Sequence, residues 1–145
     1  MLEKKNQKRI MVFGTFDGVH KGHLNFFKQA RKLAKNAFLI VSIARDKNVK
    51  KIKGVLPILN EKKRFDLVKK CGLVDKIVFA GLNTHIPHII KENPDIIALG
   101  YDQYNYIKNL KKDLKNKGII VDIVRLEAYK EHVYKNHLLK KKMGL

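Results

Sequence analysis

A single cysteine, Cys71, stands in 145 residues, so neither a disulfide framework nor a zinc site built on cysteines is open to the chain. No apolar run approaches the ~20 residues a membrane-crossing helix needs. The longest, Ala37 to Ala44, is interrupted by Ser42. No secretory leader is legible either, because the opening stretch MLEKKNQKR is charged and leads straight into a short strand-like run. Acidic residues are scarce: Asp+Glu 13 against Lys+Arg 32 leaves a formal charge of +19. Apolar residues still make up 45%, too many for a disordered polyelectrolyte. No internal repeat or linker interrupts the pattern. The expectation is a cytoplasmic protein without membrane association, folded as one domain over residues 1–145, with 1–8 as a flexible basic N-terminus.

A surface this basic attracts polyanions, nucleic acid and phosphate-rich small molecules alike. The lysines are spread along the whole chain instead of clustering. That distribution favours compositional bias, with some charge used on a small phosphorylated ligand, over a dedicated nucleic-acid surface.

Hydrophobic periodicity alternates between strand and helix. Ile10–Phe13 is a short apolar run closed by Gly14, as in a buried parallel strand. From Gly22 to Lys35 apolar residues recur at helical spacing. Phe38–Ile43 reads as the second strand, and the basic stretch Arg45–Lys53 with Gly54–Asn60 as a long loop. Asn60 is placed to cap a helix that stops at Cys71-Gly72. Lys76–Phe79, Ile96–Leu99 and Ile119–Val124 are three further strands. Helices are expected over Ile86–Glu92, about Tyr106–Lys117 and about Lys135–Lys142. Five short apolar strands alternating with helices imply an α/β, Rossmann-like domain: a five-stranded parallel sheet covered on both faces.

Open α/β sheets bind ligands beyond the carboxyl ends of their strands, and the unusual residues of this chain fall there. Gly14-Thr15-Phe16-Asp17 follows the first strand, Arg45-Asp46 the second, Gly100-Tyr101-Asp102-Gln103 the fourth and Arg125 the fifth. Gly14 permits a sharp turn and close approach by a ligand. His20 and His23 stand three apart at a helix start, where unpaired N–H groups and the positive dipole end favour an anion. Two imidazoles donating hydrogen bonds there suit a phosphate whose charge grows in a transition state. A zinc site is the other reading of the pair, but no third ligand lies nearby in sequence. His85, His88 and His132 form no complete metal set and read as scattered surface histidines.

The run Gly14-Thr15-Phe16-Asp17-Gly18-Val19-His20-Lys21-Gly22-His23 resembles the signature of the HxGH nucleotidyltransferases. It is closest to their small cytidylyltransferase-like group, which includes glycerol-3-phosphate cytidylyltransferases and archaeal-type FAD synthetases. The likeness extends from Arg9 to about Lys142. It implies transfer of a nucleoside monophosphate from a triphosphate to a phosphorylated acceptor, with pyrophosphate released and no covalent enzyme intermediate. Mg²⁺ is expected with the nucleotide, since a triphosphate's charge must be neutralised. Dimers are usual in the group. Here, however, Leu73-Val74-Asp75 stands where cytidylyltransferases carry an Arg-Tyr-Val-Asp dimer element.

By this resemblance His20 and His23 hold the triphosphate, and Gly14, Thr15, Phe16, Lys21 and Gly22 line the nucleotide site. Asp17 has two readings, bonding within its own turn or orienting a histidine, and the turn is preferred. Lys51 and Lys53 resemble the lysine pair that holds donor and acceptor phosphates, although a solvated basic run reads the same way. Arg64 with Glu61 resembles a helix-borne Glu-x-x-Arg element, against a solvated salt-bridge face as the alternative. Gly100-Tyr101-Asp102-Gln103 looks like the FAD synthetase version of its loop, with Asp102 as acceptor for a ribose or a base amine. Arg125 sits where the group has its arginine after strand five. The Ile-Ser-Ser/Thr-Thr-like helix start that should follow is replaced by Val133-Tyr134-Lys135-Asn136-His137-Leu138, where Asn136 retains an amide donor. Tyr129 is placed either to stack on a base or to sit on an exposed loop.

The favoured expectation is therefore an adenylyltransferase using ATP and FMN. A CTP-dependent enzyme acting on glycerol 3-phosphate or a similar alcohol phosphate is the alternative. A non-catalytic, basic nucleotide- or RNA-binding protein of the same fold is the rival from another class.

Overall fold

A computed structural model describes residues 6–81, 85–101, 103 and 109–128. The elements run β1 (Lys8–Gly14), α1 (Lys21–Arg31), β2 (Ala37–Ile43), α2 (Asp46–Lys53), α3 (Glu61–Lys70), β3 (Lys76–Phe79), α4 (Ile86–Glu92), β4 (Ile96–Leu99), α5 (Leu110–Asn116) and β5 (Asp122–Arg125). All five strands form one parallel sheet in the order β3-β2-β1-β4-β5. Chain direction across the sheet reverses between β1 and β4, which leaves a crevice at their carboxyl ends.

Side chains alternate along each strand, and the alternation divides the core in two. Ile10, Val12, Leu39, Val41 and Ile43 pack with Phe27 and Ala30 of α1 and Val68 of α3. Met11, Phe13, Ile40, Ile97 and Leu99 pack on the opposite face with Ile89, Leu110 and Leu114 of α4 and α5. The doubly covered sheet explains why its strands read as continuous apolar runs.

Several boundaries differ from those the periodicity suggests. The stretch expected as a basic loop is largely the helix α2. It buries only Val49 and so shows no apolar stripe. It is held by Asp46 at its start, lysines in its last turn and a left-handed Gly54 cap (φ 82°) at its end. The first helix stops at Arg31 instead of Lys35, because the Lys32 and Leu33 amides turn back to the Gln29 and Ala30 carbonyls. Leu33 and Ala34 still pack on the core. The fifth strand starts at Asp122, not Ile119, since the Ile119 amide caps α5 through the Leu114 carbonyl. The helix expected from Tyr106 is described from Leu110. Lys8, assigned to the flexible terminus, is the first residue of β1 and pairs with Ala37. The expected helix at 135–142 lies outside the described residues.

Candidate active site

The β1–α1 turn builds the site. Gly14 ends the strand, and a Cβ there would lie 2.6 Å from the Phe16 ring. Its missing side chain thus makes room for Phe16, not for a ligand as the sequence suggests. Phe16 adopts a left-handed backbone (φ 54°), unusual for a bulky residue. Its buried ring meets Phe27 at 5.3 Å and the edge of His23 at 5.3 Å. The strained turn is thereby tied into the core directly beneath one of the two signature histidines.

His20 is the N-cap of α1, and the pair forms a reciprocal capping box. His20 Nδ1 accepts from the Gly22 amide at 3.0 Å, and His23 Nδ1 accepts from the His20 amide at 3.2 Å. The rings stack with centroids 3.8 Å apart. An imidazole nitrogen that accepts carries no proton, so each neutral ring bears its proton on Nε2. Helix capping therefore fixes both tautomers and makes Nε2–H the donor on each ring. Both histidines, with Gly14, Thr15, Phe16 and Gly22, line a cleft of about 870 Å³.

Asp17 bonds neither its own turn nor a histidine among the described residues. Its carboxylate accepts from the Ile58 and Leu59 amides at 2.6 and 2.7 Å, so it is structural at a distance. Arg64 is fully buried, which excludes the solvated-face reading. It donates to the carbonyls of Thr15 (2.7 Å), Ala44 (2.7 Å) and Leu59 (3.1 Å), and to the Asp46 carboxylate at 2.7 Å. Glu61 and Asp46 each accept the other's amide at 3.1 Å, joining the N-termini of α2 and α3. The roles of Asp46 and Asp17 carry no local sequence signature, because their partners lie 15–42 residues away.

Lys53 lines the cleft at the end of α2. Lys51, two positions earlier, is exposed on a different side of the helix, because i and i+2 positions do not share a face. Lys21 opens α1 and is exposed. Across the crevice, Gly100 lines the cleft with Tyr101 and Gln103. Gln103, given no role from sequence, accepts from the Gly100 amide at 2.7 Å and donates to the Phe13 carbonyl at 2.8 Å. It staples the β4 exit to the β1 exit. Arg125 Nη1 donates to the Gly100 carbonyl at 2.8 Å and the Gln103 carbonyl at 3.2 Å, bracing the same loop. Asp102, Tyr129 and Asn136 lie outside the described residues.

Two further histidines are not the surface residues expected. His88 Nε2 lies 2.7 Å from the hydroxyl of buried Ser42, and His85 meets the Phe13 ring at 5.4 Å. Burial lowers the pKa of both. For His88, Glu92 opposes the shift while His85, Lys91 and Lys76 reinforce it. Asp75, which closes the Leu73-Val74-Asp75 segment, accepts from Arg31 at 2.7 Å and the Leu39 amide at 2.8 Å. No helix among the described residues is long and apolar enough to cross a membrane.

Residues 11–141 match the model of the family described as Cytidylyltransferase-like. The chain belongs to that family. Among similar proteins, the FAD synthase of Korarchaeum cryptofilum is 42% identical over 123 residues, covering 84% of this chain and 83% of the relative. The FAD synthase of Thermococcus sibiricus is 40% identical over 136 residues, covering 92% of this chain and 90% of the relative. Among solved structures, the lipopolysaccharide core biosynthesis protein of Thermoplasma volcanium GSS1 superposes with a TM-score of 0.77 at 34% identity. That match covers 84% of this chain and 98% of the other. A pantoate-beta-alanine ligase from Francisella tularensis shares the fold, with a TM-score of 0.60 at 16% identity. The match spans the described sheet from Met11 of β1 through β5, and the signature histidines sit at its switch point.

Proposed function

We propose that this chain is an FMN adenylyltransferase, converting ATP and FMN to FAD and pyrophosphate. An oxygen of the FMN phosphate attacks the α-phosphorus of ATP. The new P–O bond forms as the bond from that phosphorus to the bridging oxygen breaks, and pyrophosphate carries the electron pair away. Such a reaction asks the protein mainly for positioning and for charge stabilisation. The observation that carries the reading is the capping box of His20 and His23, which engages both Nδ1 atoms and so leaves the ring protons on Nε2 of two stacked histidines that line the cleft at a helix N-terminus. Donors fixed before the reaction cost no reorganisation as charge builds on the transferred phosphoryl and its leaving group. The choice of adenine and flavin is supported by the FAD synthase relatives.

Lys53 supplies a cation from α2, and Gly100 and Gln103 form the opposite wall. Among the described residues no three His, Cys, Asp or Glu side chains gather to hold a metal ion. Mg²⁺ would enter with the substrate as Mg·ATP and neutralise part of the triphosphate's charge.

Pyrophosphate release with each pairing of ATP or CTP with FMN or glycerol 3-phosphate tests the proposal, with FAD followed by chromatography. Turnover is expected with ATP and FMN. Turnover only with CTP and an alcohol phosphate would leave the transfer chemistry standing and overturn the substrate assignment. Salt-sensitive RNA binding with no pyrophosphate release would favour the non-catalytic reading.

A further inference from the structure

Between α2 and α3 the chain presents an apolar surface to water. Val55 is 66% exposed, Leu56 57% and Ile58 92%. All three, with Pro57, line the same cleft as His20, His23 and Lys53. An apolar loop left to itself would fold away from solvent, but this one is fixed at both ends and at Ile58-Leu59. Gly54 caps α2 at its start, and Asn60 at its end caps α3 by accepting from the Lys63 amide at 2.9 Å. Near Ile58 the Asp17 carboxylate takes two consecutive amides, while Arg64 takes the Leu59 carbonyl and the Thr15 carbonyl. The turn that leads to His20 therefore also holds this apolar segment in place.

We infer that Val55, Leu56 and Ile58 form the wall on which the flat ring system of the acceptor lies, with Asp17 as the positioning residue that holds the wall. Apolar side chains held rigid at the mouth of a polar cleft mark a ligand surface. A triphosphate has no use for them, and neither does a small alcohol phosphate. The adenine of ATP is the other flat ring in the reaction; a rise in the ATP KM without one in the FMN KM in the variants below would give the wall to it and overturn the inference. An extended heteroaromatic ring carrying a phosphate on a polar arm suits both the wall and neighbouring Lys53. The inference rests on the proposed FMN transfer and explains how that site would reject glycerol 3-phosphate.

The test uses Leu56→Ser, Ile58→Ser and their double variant, all at exposed positions, together with Asp17→Asn. The FMN KM of the double variant is expected to rise about tenfold or more, the factor for losing part of two apolar contacts. The KM for ATP and kcat should stay within about twofold of wild type. FMN affinity read directly by flavin fluorescence should fall in parallel, and Asp17→Asn should shift the FMN KM in the same direction. An unchanged FMN KM in a protein that turns over ATP and FMN overturns the wall alone. Absence of that turnover in the wild type overturns the parent reading instead. A dimer of the wild type that Ile58→Ser converts to monomer, with FMN affinity retained, would make the surface an interface between copies and overturn the inference.

Discussion

His20 has two duties that one substitution can separate. As N-cap it accepts the Gly22 amide through Nδ1, and as a cleft residue it offers Nε2–H. Alanine removes both. Losing the cap alone costs about 1 kcal/mol, within a range of about 0.5–2. Asparagine keeps an acceptor of N-capping reach, and Asn is among the best N-cap residues, so His20→Asn should hold stability within about 0.5 kcal/mol of wild type. Its side chain is too short to place a donor where Nε2 stands. Removing one preorganised donor to a developing oxyanion costs about 10²–10³ in kcat, or roughly 2.7–4 kcal/mol. The expected pattern is near-native urea unfolding for His20→Asn, measurable destabilisation for His20→Ala, and a similar loss of pyrophosphate release in both. Turnover of His20→Asn within about threefold of wild type, under 1 kcal/mol, would refute the donor role. Equal destabilisation of the two variants would refute the cap.

Arg64→Met should cost about 3 kcal/mol, the low end for breaking a buried charge network because Asp46 keeps access to water, and should lower Tm by roughly 6–12 °C. A change below about 1 kcal/mol in urea unfolding would show that the buried guanidinium holds little together. His88, whose pKa burial lowers from 6.5, prefers the neutral ring when folded, whereas the unfolded chain takes up a proton near 6.5. Its contribution is therefore fully present above 6.5, declines as pH falls below it and levels off below the folded value. Unfolding at about pH 7.5 and about pH 5.5 should show that loss, and His88→Gln should reduce it; an unchanged pH slope in the variant would rule His88 out as its source.

The sheet was legible because its central strands β1, β2 and β4 are buried on both faces and leave apolar runs; β3 and β4 and the helix α4 fall where periodicity places them. The helix α2 was not legible, since a helix that buries one valine has no periodic stripe and its eight residues are mostly basic or polar. The cleft-facing turn was legible as a motif, through Gly14, His20, Gly22 and His23. Its supports were not. Asp17 reaches across 41 and 42 residues, Arg64 across 49 to Thr15, and Gln103 across 90 to Phe13. Each of these side chains satisfies backbone groups, and a backbone amide or carbonyl is the same in every residue. Such partners are set by topology and leave no residue-type signal at the receiving end. The misread histidines have the same cause: His88 faces Ser42 only because β2 and α4 pack together.

Histidine at both ends of the capping box has a physical reason beyond phosphate affinity. A lysine or arginine at position 20 would add charge but has no acceptor, so the Gly22 amide would lose its cap. Aspartate or serine would cap the helix but bring repulsion or too little reach towards an anion. Imidazole accepts at one ring atom and donates from another held rigidly about 2 Å further out, beyond the reach of an asparagine amide, so the bond that starts the helix also aims the donor. Long-range attraction for the triphosphate can then come from the chain's +19 charge, which draws anions without needing a fixed geometry. The division of labour explains how lysines scattered over the surface coexist with a site whose ordering rests on two stacked rings. It also separates their effects: raising ionic strength should weaken ATP capture, while the advantage of wild type over His20→Asn in kcat at saturating ATP should persist.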